Sequence, residues 1–128
     1  DPEACEYVAW SHPRRGIYMQ TPIAYRGRVY ACGDSGALAV FDAATGAEVY
    51  RERVGTGGAG FSGSAVAADG RLYFSAEDGQ VHVVKAGDTL EVLATNDLGE
   101  TCLATPAVGP GRLYFRTRSA VVAVGAER

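Results

Sequence analysis

A pattern that recurs three times constrains this chain more than any other feature. It reads TPIAYRGRVYACGDSG at 21–36, SAVAADGRLYFSAEDG at 64–79 and TPAVGPGRLYFRTRSA at 105–120. In each copy a turn glycine is followed by Arg, an aliphatic residue and Tyr, and the copies are about 42 residues apart, a period typical of repeat architectures. The residues that define the repeat are Gly27, Gly70, Gly111, Tyr30, Tyr73, Tyr114, Gly36 and Gly79. The chain is therefore predicted to be an array of similar units.

Each copy predicts short β-strands joined by tight turns, because Gly-containing segments such as Arg26-Gly27 and the DAATG run at 42–46 separate its apolar runs. The predicted strands are 22–25, 28–32, 37–41 and 48–54 in the first copy, 65–68, 72–76, 81–85 and 90–95 in the second, and 106–108, 113–117 and 121–124 in the third. Strand interiors such as LYF and VVAV are apolar on both faces, as stacked sheets require. The sequence therefore predicts an all-β chain of about three four-stranded antiparallel blades, which is part of a β-propeller.

The repeats divide the chain into a leading segment at 1–19 and three blades at 20–61, 62–102 and 103–128. The third blade lacks a fourth strand, and one further strand is predicted at 6–10, before the first blade. In a closed ring an N-terminal strand of this kind completes the last blade and removes an exposed edge.

The number of blades leaves two arrangements open. Known propellers use roughly 4 to 8 blades, so three cannot close a ring alone. Either the chain is the C-terminal part of a longer propeller, or identical chains associate head to tail and exchange the strand at 6–10. The start at Asp1-Pro2 without an initiator Met favours the first, because it is typical of a processed or excised piece.

Composition and charge exclude several classes of partner. The chain has 128 residues, of which 47% are hydrophobic, and a net charge of −3 from 15 acidic and 12 basic side chains. This balance gives no electrostatic footprint for nucleic acid or anionic lipid. No apolar run approaches the roughly 20 residues that a membrane-spanning helix needs, so no transmembrane segment is predicted.

The three cysteines, Cys5, Cys32 and Cys102, have no CxxC spacing and no flanking His in metal-ligand register. They are predicted to be buried small hydrophobic side chains. A disulfide between Cys5 and Cys102, or between Cys32 and Cys102, remains open if the compartment is oxidising.

Two motifs resemble catalytic or nucleotide-binding sequences but fit the repeat better. The GDSG run at 33–36 matches the surroundings of a serine-protease nucleophile, yet the second repeat has EDG in the same place, so a hairpin turn is predicted. The run at 55–60 fits GxGxxG, but a strand rather than a helix follows it. We therefore expect it to be a flexible crossing between blades.

His82 is the candidate contact residue that the repeat itself singles out. Counting from the turn glycines, its equivalents in the other copies are Ala39 and Ala123. An imidazole at such a position either packs at a blade interface or faces a site, and packing is predicted because no second titratable group can be placed beside it.

Further candidates lie in turns and in the leading segment. Asp34, Glu77 and Asp78 carry carboxylates that could together bind a cation, although a solvated turn is the default for such residues. The candidate ligand or partner contacts of the leading segment are Trp10, His12, Arg14 and Arg15. The basic pair could contact a partner's carboxylates, or lie in a solvated loop.

The repeat resembles the repeat of a known family. TP(I/A)(A/V)…G-R-(V/L)-Y…(D/E)-x-G-x-(L/V)-x-V, followed by TGAEVY at 45–50, is similar to the pyrroloquinoline-quinone (PQQ) repeat of quinoprotein dehydrogenases and of non-enzymatic PQQ-like propellers. The similarity covers residues 20–125, and with the segment WSHPRRGIYMQTPI at 10–23 it is greatest to C-terminal repeats of secreted PQQ-binding-like bacterial propellers. The resemblance implies a periplasmic, envelope-associated or secreted protein whose partners are further blades and envelope proteins.

Departures from the enzymes of this family shape the functional prediction. The place of their docking Trp is taken here by Tyr50 and Leu93, their adjacent Cys-Cys pair is absent, and Trp10 is the only indole that could stack on a cofactor. No residues match their calcium and base positions, so no catalytic, cofactor-binding or metal residue is assigned. The resemblance then implies a non-catalytic scaffold. Two alternatives remain: the C-terminal blades of an alcohol or sugar dehydrogenase that uses PQQ with Ca²⁺, and a carbohydrate- or polymer-binding propeller.

Overall fold

The computed structural model describes residues 4–13 and 16–125, and that part of the chain contains eleven β-strands. The strands are β1 (Ile23–Tyr25), β2 (Arg28–Cys32), β3 (Ala37–Asp42), β4 (Glu48–Arg53), β5 (Val66–Ala68), β6 (Arg71–Ser75), β7 (Gln80–Lys85), β8 (Val92–Asp97), β9 (Ala107–Gly109), β10 (Arg112–Arg116) and β11 (Val121–Val124). The described residues contain no helix long and apolar enough to cross a membrane.

The strands form three antiparallel sheets, one for each repeat. Sheet 1 has the order β1-β2-β3-β4, sheet 2 the order β5-β6-β7-β8, and sheet 3 the order β9-β10-β11. The short first strands are neighbours, since β1 contacts β5 and β5 contacts β9, whereas β1 and β9 do not meet. The predicted all-β, blade-like architecture is confirmed, and the three sheets form an open arc.

Two-residue turns join the first and second strands of all three sheets. Tyr25 pairs with Arg28 and Ala68 with Arg71, and the intervening Arg26 and Asp69 have φ values of 48° and 50°. Positive φ at both turn residues matches the right-handed twist of the flanking strands. The hairpins predicted from the G-R-(V/L)-Y pattern are therefore present, with a positive-φ residue before the glycine in two of them.

The turns between the second and third strands differ among the sheets. Gly36 and Gly79 have φ values of +86° and +95°, and a Cβ on Gly36 would lie 2.6 Å from the Val54 carbonyl oxygen. In sheet 3 the amide of Thr117 already donates to the Ala120 carbonyl, so this turn is one residue shorter. Counting along the repeats predicts Ala120 as the counterpart of these two glycines. The shorter turn shows that this alignment is wrong by one residue.

The shorter turn also corrects the alignment of His82. His82 pairs with Phe74, and the corresponding pairs are Ala31 with Ala39 in sheet 1 and Phe115 with Val122 in sheet 3. The prediction that Ala123 is its third equivalent was wrong by one residue. The position therefore carries Ala39, His82 and Val122 in the three sheets.

Side chains alternate between two faces, and both faces are buried where sheets stack. We call one the leading face: it carries Val29, Ala31, Ala39 and Phe41 in sheet 1, Leu72, Phe74, His82 and Val84 in sheet 2, and Leu113, Phe115, Val122 and Val124 in sheet 3. We call the other the trailing face: it carries Tyr30, Cys32, Leu38 and Val40, then Tyr73, Ser75, Val81 and Val83, then Tyr114, Arg116, Val121 and Ala123. The trailing face of each sheet packs on the leading face of the next.

The predicted leading strand at 6–10 is not formed. Instead, the indole N–H of Trp10 donates to the Ala43 carbonyl at 3.0 Å, and the ring packs beside Phe41 and Gly46 of sheet 1. A strand needs a neighbour to accept its backbone hydrogen bonds. In an open arc the unpaired edge of sheet 3 is not available to this segment, so the described residues contain eleven strands rather than the predicted twelve.

The three cysteines are free thiols, so neither of the two disulfide alternatives is formed. Cys32 and Cys102 are buried, as predicted, but Cys5 is exposed. Burial raises the pKa of the Cys32 thiol to about 12, so this side chain behaves as a small hydrophobe of the core.

Candidate binding groove between sheets 2 and 3

The two junctions between successive sheets are built differently at the rim where the first and second strands turn. At the first junction, between sheets 1 and 2, the Tyr25 hydroxyl accepts the Gly70 amide at 2.7 Å. The Tyr30 hydroxyl likewise accepts the Gly87 amide at 3.0 Å. These hydroxyls fasten sheet 1 to two turns of sheet 2.

The second junction, between sheets 2 and 3, carries different side chains at the same positions. Ala68 replaces Tyr25, and the Tyr73 hydroxyl, which corresponds to that of Tyr30, has no hydrogen bond to another described residue. A groove of 460 Å³ opens there. It is lined by Ala68, Asp69, Arg71, Tyr73, Val108, Gly109, Gly111, Arg112, Leu113, Val124 and Gly125. Ala68, which stands where sheet 1 has Tyr25, is one of the residues that line this largely apolar groove.

Two arginines stand at the edge of this groove. Arg28 of sheet 1 forms ion pairs with Asp42 at 3.1 Å and with Asp88 at 2.8 Å. Its counterparts Arg71 and Arg112 make no ion pair with another described residue. Asp69 is the one carboxylate among the described lining residues. The groove thus combines an apolar floor with Arg71, on the trailing face of sheet 2 that faces it, and with Arg112 at the edge of sheet 3, on the same face as Tyr114. A guanidinium group can receive a carboxylate in bidentate geometry.

His82 lies at the first junction and not at the groove. It is buried, its ring is 5.9 Å from that of Phe61, and its Nδ1 is 3.2 Å from the Thr95 hydroxyl. Burial lowers the pKa of His82, and the nearby Asp78 carboxylate opposes that effect. The cavity beside it holds only 10 Å³, about the space of one water molecule.

The candidates of the leading segment lie against sheet 1. The His12 ring stacks on Phe41 with ring centres 4.7 Å apart, and its Nε2 contacts the Gly46 carbonyl. Trp10 occupies the same corner of the sheet. Arg14 and Arg15 lie outside the described residues. The structure therefore brings Trp10 and His12 together, far along the chain from His82 and from the groove.

The acidic turn residues do not converge on one point. The Ser62 hydroxyl donates to Glu77, whose carboxylate packs beside Gly60, and Asp78 accepts the Gln80 amide at 3.1 Å. Within residues 4–13 and 16–125, no group of three or more His, Cys, Asp and Glu side chains could hold a metal ion. Each of these carboxylates is placed to order its own turn or crossing.

The described residues do not fit a quinone with its calcium ion. A PQQ site needs oxygen ligands for Ca²⁺ and a flat aromatic surface for the quinone, and no described acidic cluster supplies the ligands. Trp10, the single indole of the chain, uses its N–H on Ala43 and one ring surface on Gly46. No catalytic step can be derived from this part of the chain.

The two motif-like runs are structural. Ser35 lies in the turn between β2 and β3, where its carbonyl accepts the Arg53 guanidinium at 2.6 Å. The glycine-rich run at 55–60 forms bends that cross from β4 towards β5, and no helix follows it. Both runs match the predicted turn and crossing.

Sequence reasoning did not identify the groove. The Arg that follows each turn glycine was recognised as part of the repeat, but no binding role was attached to Arg71 or Arg112. A usable signal was present in the repeat itself: Tyr25 of the first copy becomes Ala68 in the second. Only the structure shows that Ala68 lines a groove between two sheets.

Glu100 was also missed. It accepts hydrogen bonds from the Thr117 hydroxyl and from the amide and hydroxyl of Ser119, and these bonds lower its pKa to about 2. The charged carboxylate thereby ties the crossing before sheet 3 to the short β10–β11 turn.

Comparisons with known proteins agree with this geometry. A family model described as outer membrane protein assembly factor BamB, built on PQQ-like repeats, matches residues 8–89 and 34–127. No curated protein is similar enough in sequence to count as a relative. The two overlapping matches together span nearly the whole chain.

Solved structures share the fold at low sequence identity. BamB from Moraxella catarrhalis aligns with a TM-score of 0.65 and 19% identity over 81% of this chain and 32% of its own. Quinohemoprotein alcohol dehydrogenase ADHIIG from Pseudomonas putida HK5 aligns with 0.64 and 20% over 88% of this chain and 19% of its own. The computationally designed protein Ika4 aligns with 0.64 and 14% over 81% and 63%.

These identities show the fold alone, and the chain spans about a third of the BamB structure. The family matches and the three stacked blades agree with the repeat found in the sequence. The chain therefore belongs to the PQQ-like repeat β-propeller family whose model carries the description of the outer membrane assembly factor BamB.

Proposed function

We propose that this chain is a non-catalytic interaction module of a bacterial envelope or secreted propeller. Its groove between sheets 2 and 3 binds an extended acidic segment of a partner protein. The observation that carries the proposal is the contrast between the two junctions: at one, tyrosine hydroxyls bond to turns of the next sheet, whereas at the other a larger groove is lined by Arg71 and Arg112. The family match to an envelope assembly factor supports the location.

The lining determines the chemistry of the segment. Val108 is 51% exposed and Val124 is 43% exposed, so both present apolar surface to a bound side chain. Burial of an aromatic side chain there would release water from that surface. One carboxylate would pair with Arg71, which faces the groove, and a second would reach Arg112 at the edge of sheet 3. A segment alternating acidic and aromatic residues is therefore the best match.

The test uses two fluorescein-labelled peptides of equal length, one alternating Glu and Phe and one alternating Lys and Phe. Fluorescence anisotropy should show that the Glu peptide binds and that added salt weakens its binding. The double substitution Arg71→Glu and Arg112→Glu should reverse the preference. The double substitution Arg116→Glu and Arg118→Glu is the matched control, because it makes the same charge change at the opposite end of β10.

Equal binding of both peptides, or of neither, would overturn the proposed groove. The alternative of dehydrogenase blades has a separate readout: quinone absorbance retained after the chain is mixed with PQQ and Ca²⁺ and then passed through a desalting column. Retention of the quinone would favour the enzyme over the scaffold. Retention of a neutral oligosaccharide instead would favour the carbohydrate-binding alternative.

A further inference from the structure

A cross-strand pair of charged residues differs between sheet 1 and sheet 2. In sheet 1, Arg28 at the start of β2 pairs with Asp42 at the end of β3, and the two form an ion pair at 3.1 Å. In sheet 2 the equivalent partners are Arg71 and Lys85. Opposite charges stabilise a directly facing cross-strand pair, whereas like charges destabilise it. Sheet 2 therefore places two cations side by side where sheet 1 places an ion pair.

The positive charge of Lys85 is weakly compensated. Its Nζ lies 3.8 Å from a carboxylate oxygen of Glu91, and both side chains are more than half exposed. An ion pair of this kind contributes little, since water screens the two charges. In sheet 1, by contrast, the Arg28 guanidinium contacts the carboxylates of Asp42 and Asp88 at 3.1 and 2.8 Å. The Lys85 ammonium group is thus available to an anion from outside the chain.

A third cation comes from the β1–β2 turn of sheet 1. Arg26 reaches across to the β5–β6 turn, where a Cβ placed on Gly70 would lie 3.0 Å from one of its guanidinium nitrogens. Arg26 makes no ion pair with another described residue. A channel of 370 Å³ lies among these cations, and we call it the rim channel. It is lined by Arg26, Asp69, Gly70, Arg71, Lys85, Ala86, Glu91 and Leu93.

The rim channel adjoins the groove between sheets 2 and 3, because Asp69 and Arg71 line both. It is formed entirely by sheet 2 and the β1–β2 turn, so it does not depend on either end of the chain. The described residues that line the groove and the rim channel carry two carboxylates, Asp69 and Glu91, and four cations, Arg26, Arg71, Lys85 and Arg112. The two depressions thus form one basic strip on a chain whose net charge is −3.

We propose that the rim channel binds a further acidic side chain of the partner segment that lies in the groove. This inference rests on the proposed function of the groove and adds Lys85 and Arg26 to the residues that select the segment. A carboxylate placed beside Lys85 and Arg71 relieves the repulsion between these facing cations. Arg71 can serve both depressions, as Arg28 contacts two carboxylates in sheet 1. The strip therefore selects long acidic segments over short ones.

Two fluorescein-labelled peptides that alternate Glu and Phe test the inference. One has about six residues and the other about twelve, so they span roughly 20 and 40 Å when extended. Fluorescence anisotropy should show that the longer peptide binds about fivefold more tightly, and that Lys85→Gln weakens its binding about threefold. Binding of the shorter peptide should not change. Lys85→Arg keeps the positive charge and should behave like the original chain.

Arg118→Gln is the matched control, because it removes one positive charge at an exposed position outside both depressions. If neither peptide binds, the proposed function of the groove is overturned and the rim channel with it. If the short peptide binds and the long peptide binds no more tightly, the rim channel is overturned while the groove stands. The same holds if Lys85→Gln weakens both peptides equally, or has no larger effect than Arg118→Gln.

Discussion

The first and second junctions join equivalent sheets of one repeat family, yet the first has the larger buried core. Its core contains ten buried side chains from sheets 1 and 2 and the crossing between them, whereas the core of the second contains four. Tyrosine hydroxyls and the Arg28–Asp88 ion pair fasten the first at its rim. Because interior packing and buried hydrogen bonds contribute most of the stability, the first junction is the stabilising one.

The comparison shows how a repeat fold can separate stability from binding. The backbone hydrogen bonds of the strands are the same in sheets 1 and 2, so the sheets form regardless of what stands between them. Side-chain identity at a few positions then decides whether a junction closes. Four predictions, given in order of decreasing effect, test this difference between the two junctions.

The largest effect is expected from truncating equivalent leucines at the two junctions. Leu72 is fully buried in the first junction, and Leu113 is 9% exposed in the second. Leu72→Ala should lower the free energy of unfolding by about 4 kcal/mol and Leu113→Ala by about 2 kcal/mol, because the larger core loses more contacts. Urea denaturation followed by circular dichroism measures both. Equal losses would show that the two cores are energetically alike.

The second prediction concerns a place where the second junction is tight. Gly79 has a φ of +95°, and a Cβ there would overlap the Glu100 carbonyl oxygen in the crossing to sheet 3. Gly79→Ala should cost about 3 kcal/mol of unfolding free energy. Gly87→Ala in the first junction is the control, since a Cβ at Gly87 meets no atom within 4 Å. If both variants unfold at the same urea concentration, the strain argument fails.

The third prediction compares the two equivalent tyrosines. Tyr30→Phe removes the hydroxyl that accepts the Gly87 amide and should cost about 1 kcal/mol. Tyr73→Phe removes a hydroxyl without a hydrogen bond to another described residue and should change the unfolding free energy little. Thermal unfolding of the two variants side by side gives the difference. A larger loss from Tyr73→Phe would mean that the second junction holds a bond at this hydroxyl.

The smallest effect is a pH dependence that arises from His82 at the first junction. Burial lowers the pKa of His82 in the folded chain from its ordinary value of 6.5, so the unfolded chain binds the proton more readily. The stability from neutral His82 is complete above pH 6.5 and is lost as the pH falls below that value towards the lower, folded-state pKa.

His82→Gln should flatten the pH dependence of the unfolding midpoint in this window, because Gln does not titrate. His12→Gln is the control, since His12 is exposed. Titration of the ring resonances by NMR gives an independent value for the shift. A His82 that protonates at or above pH 6.5 in the folded chain would contradict the assignment of a desolvated neutral ring.

The strands themselves could be predicted from sequence because their pattern is local. β2 and β11 have the predicted bounds, and the other nine strands differ from prediction by one or two residues at one or both ends. Turn chemistry explains the success, because Gly27 and its counterparts specify a hairpin whatever lies around them. The failures were not local. The segment at 6–10 lacks a neighbour to pair with, and the one-residue shortening at Thr117–Ala120 became visible only through strand pairing.

The candidate groove could not be predicted from the sequence, for a related reason. Arg71 and Arg112 follow their turn glycines as Arg28 does, so the repeat pattern treats them alike. Whether such an arginine meets a carboxylate depends on which turn of the next sheet lies opposite. Asp88 lies opposite Arg28 across 60 residues of chain, a contact that no spacing rule predicts.

The repeat, the all-β class and the turn at the start of each blade could be predicted from the amino-acid sequence, because backbone conformation and strand periodicity depend on neighbouring residues. Only the tertiary structure shows that Trp10 and His12 pack on sheet 1, that His82 is buried, and that the first junction has a larger buried core than the second. These outcomes depend on which side chains from distant parts of the chain share one interface. Whether those side chains fill the interface cannot be predicted from the residues that neighbour each of them in sequence.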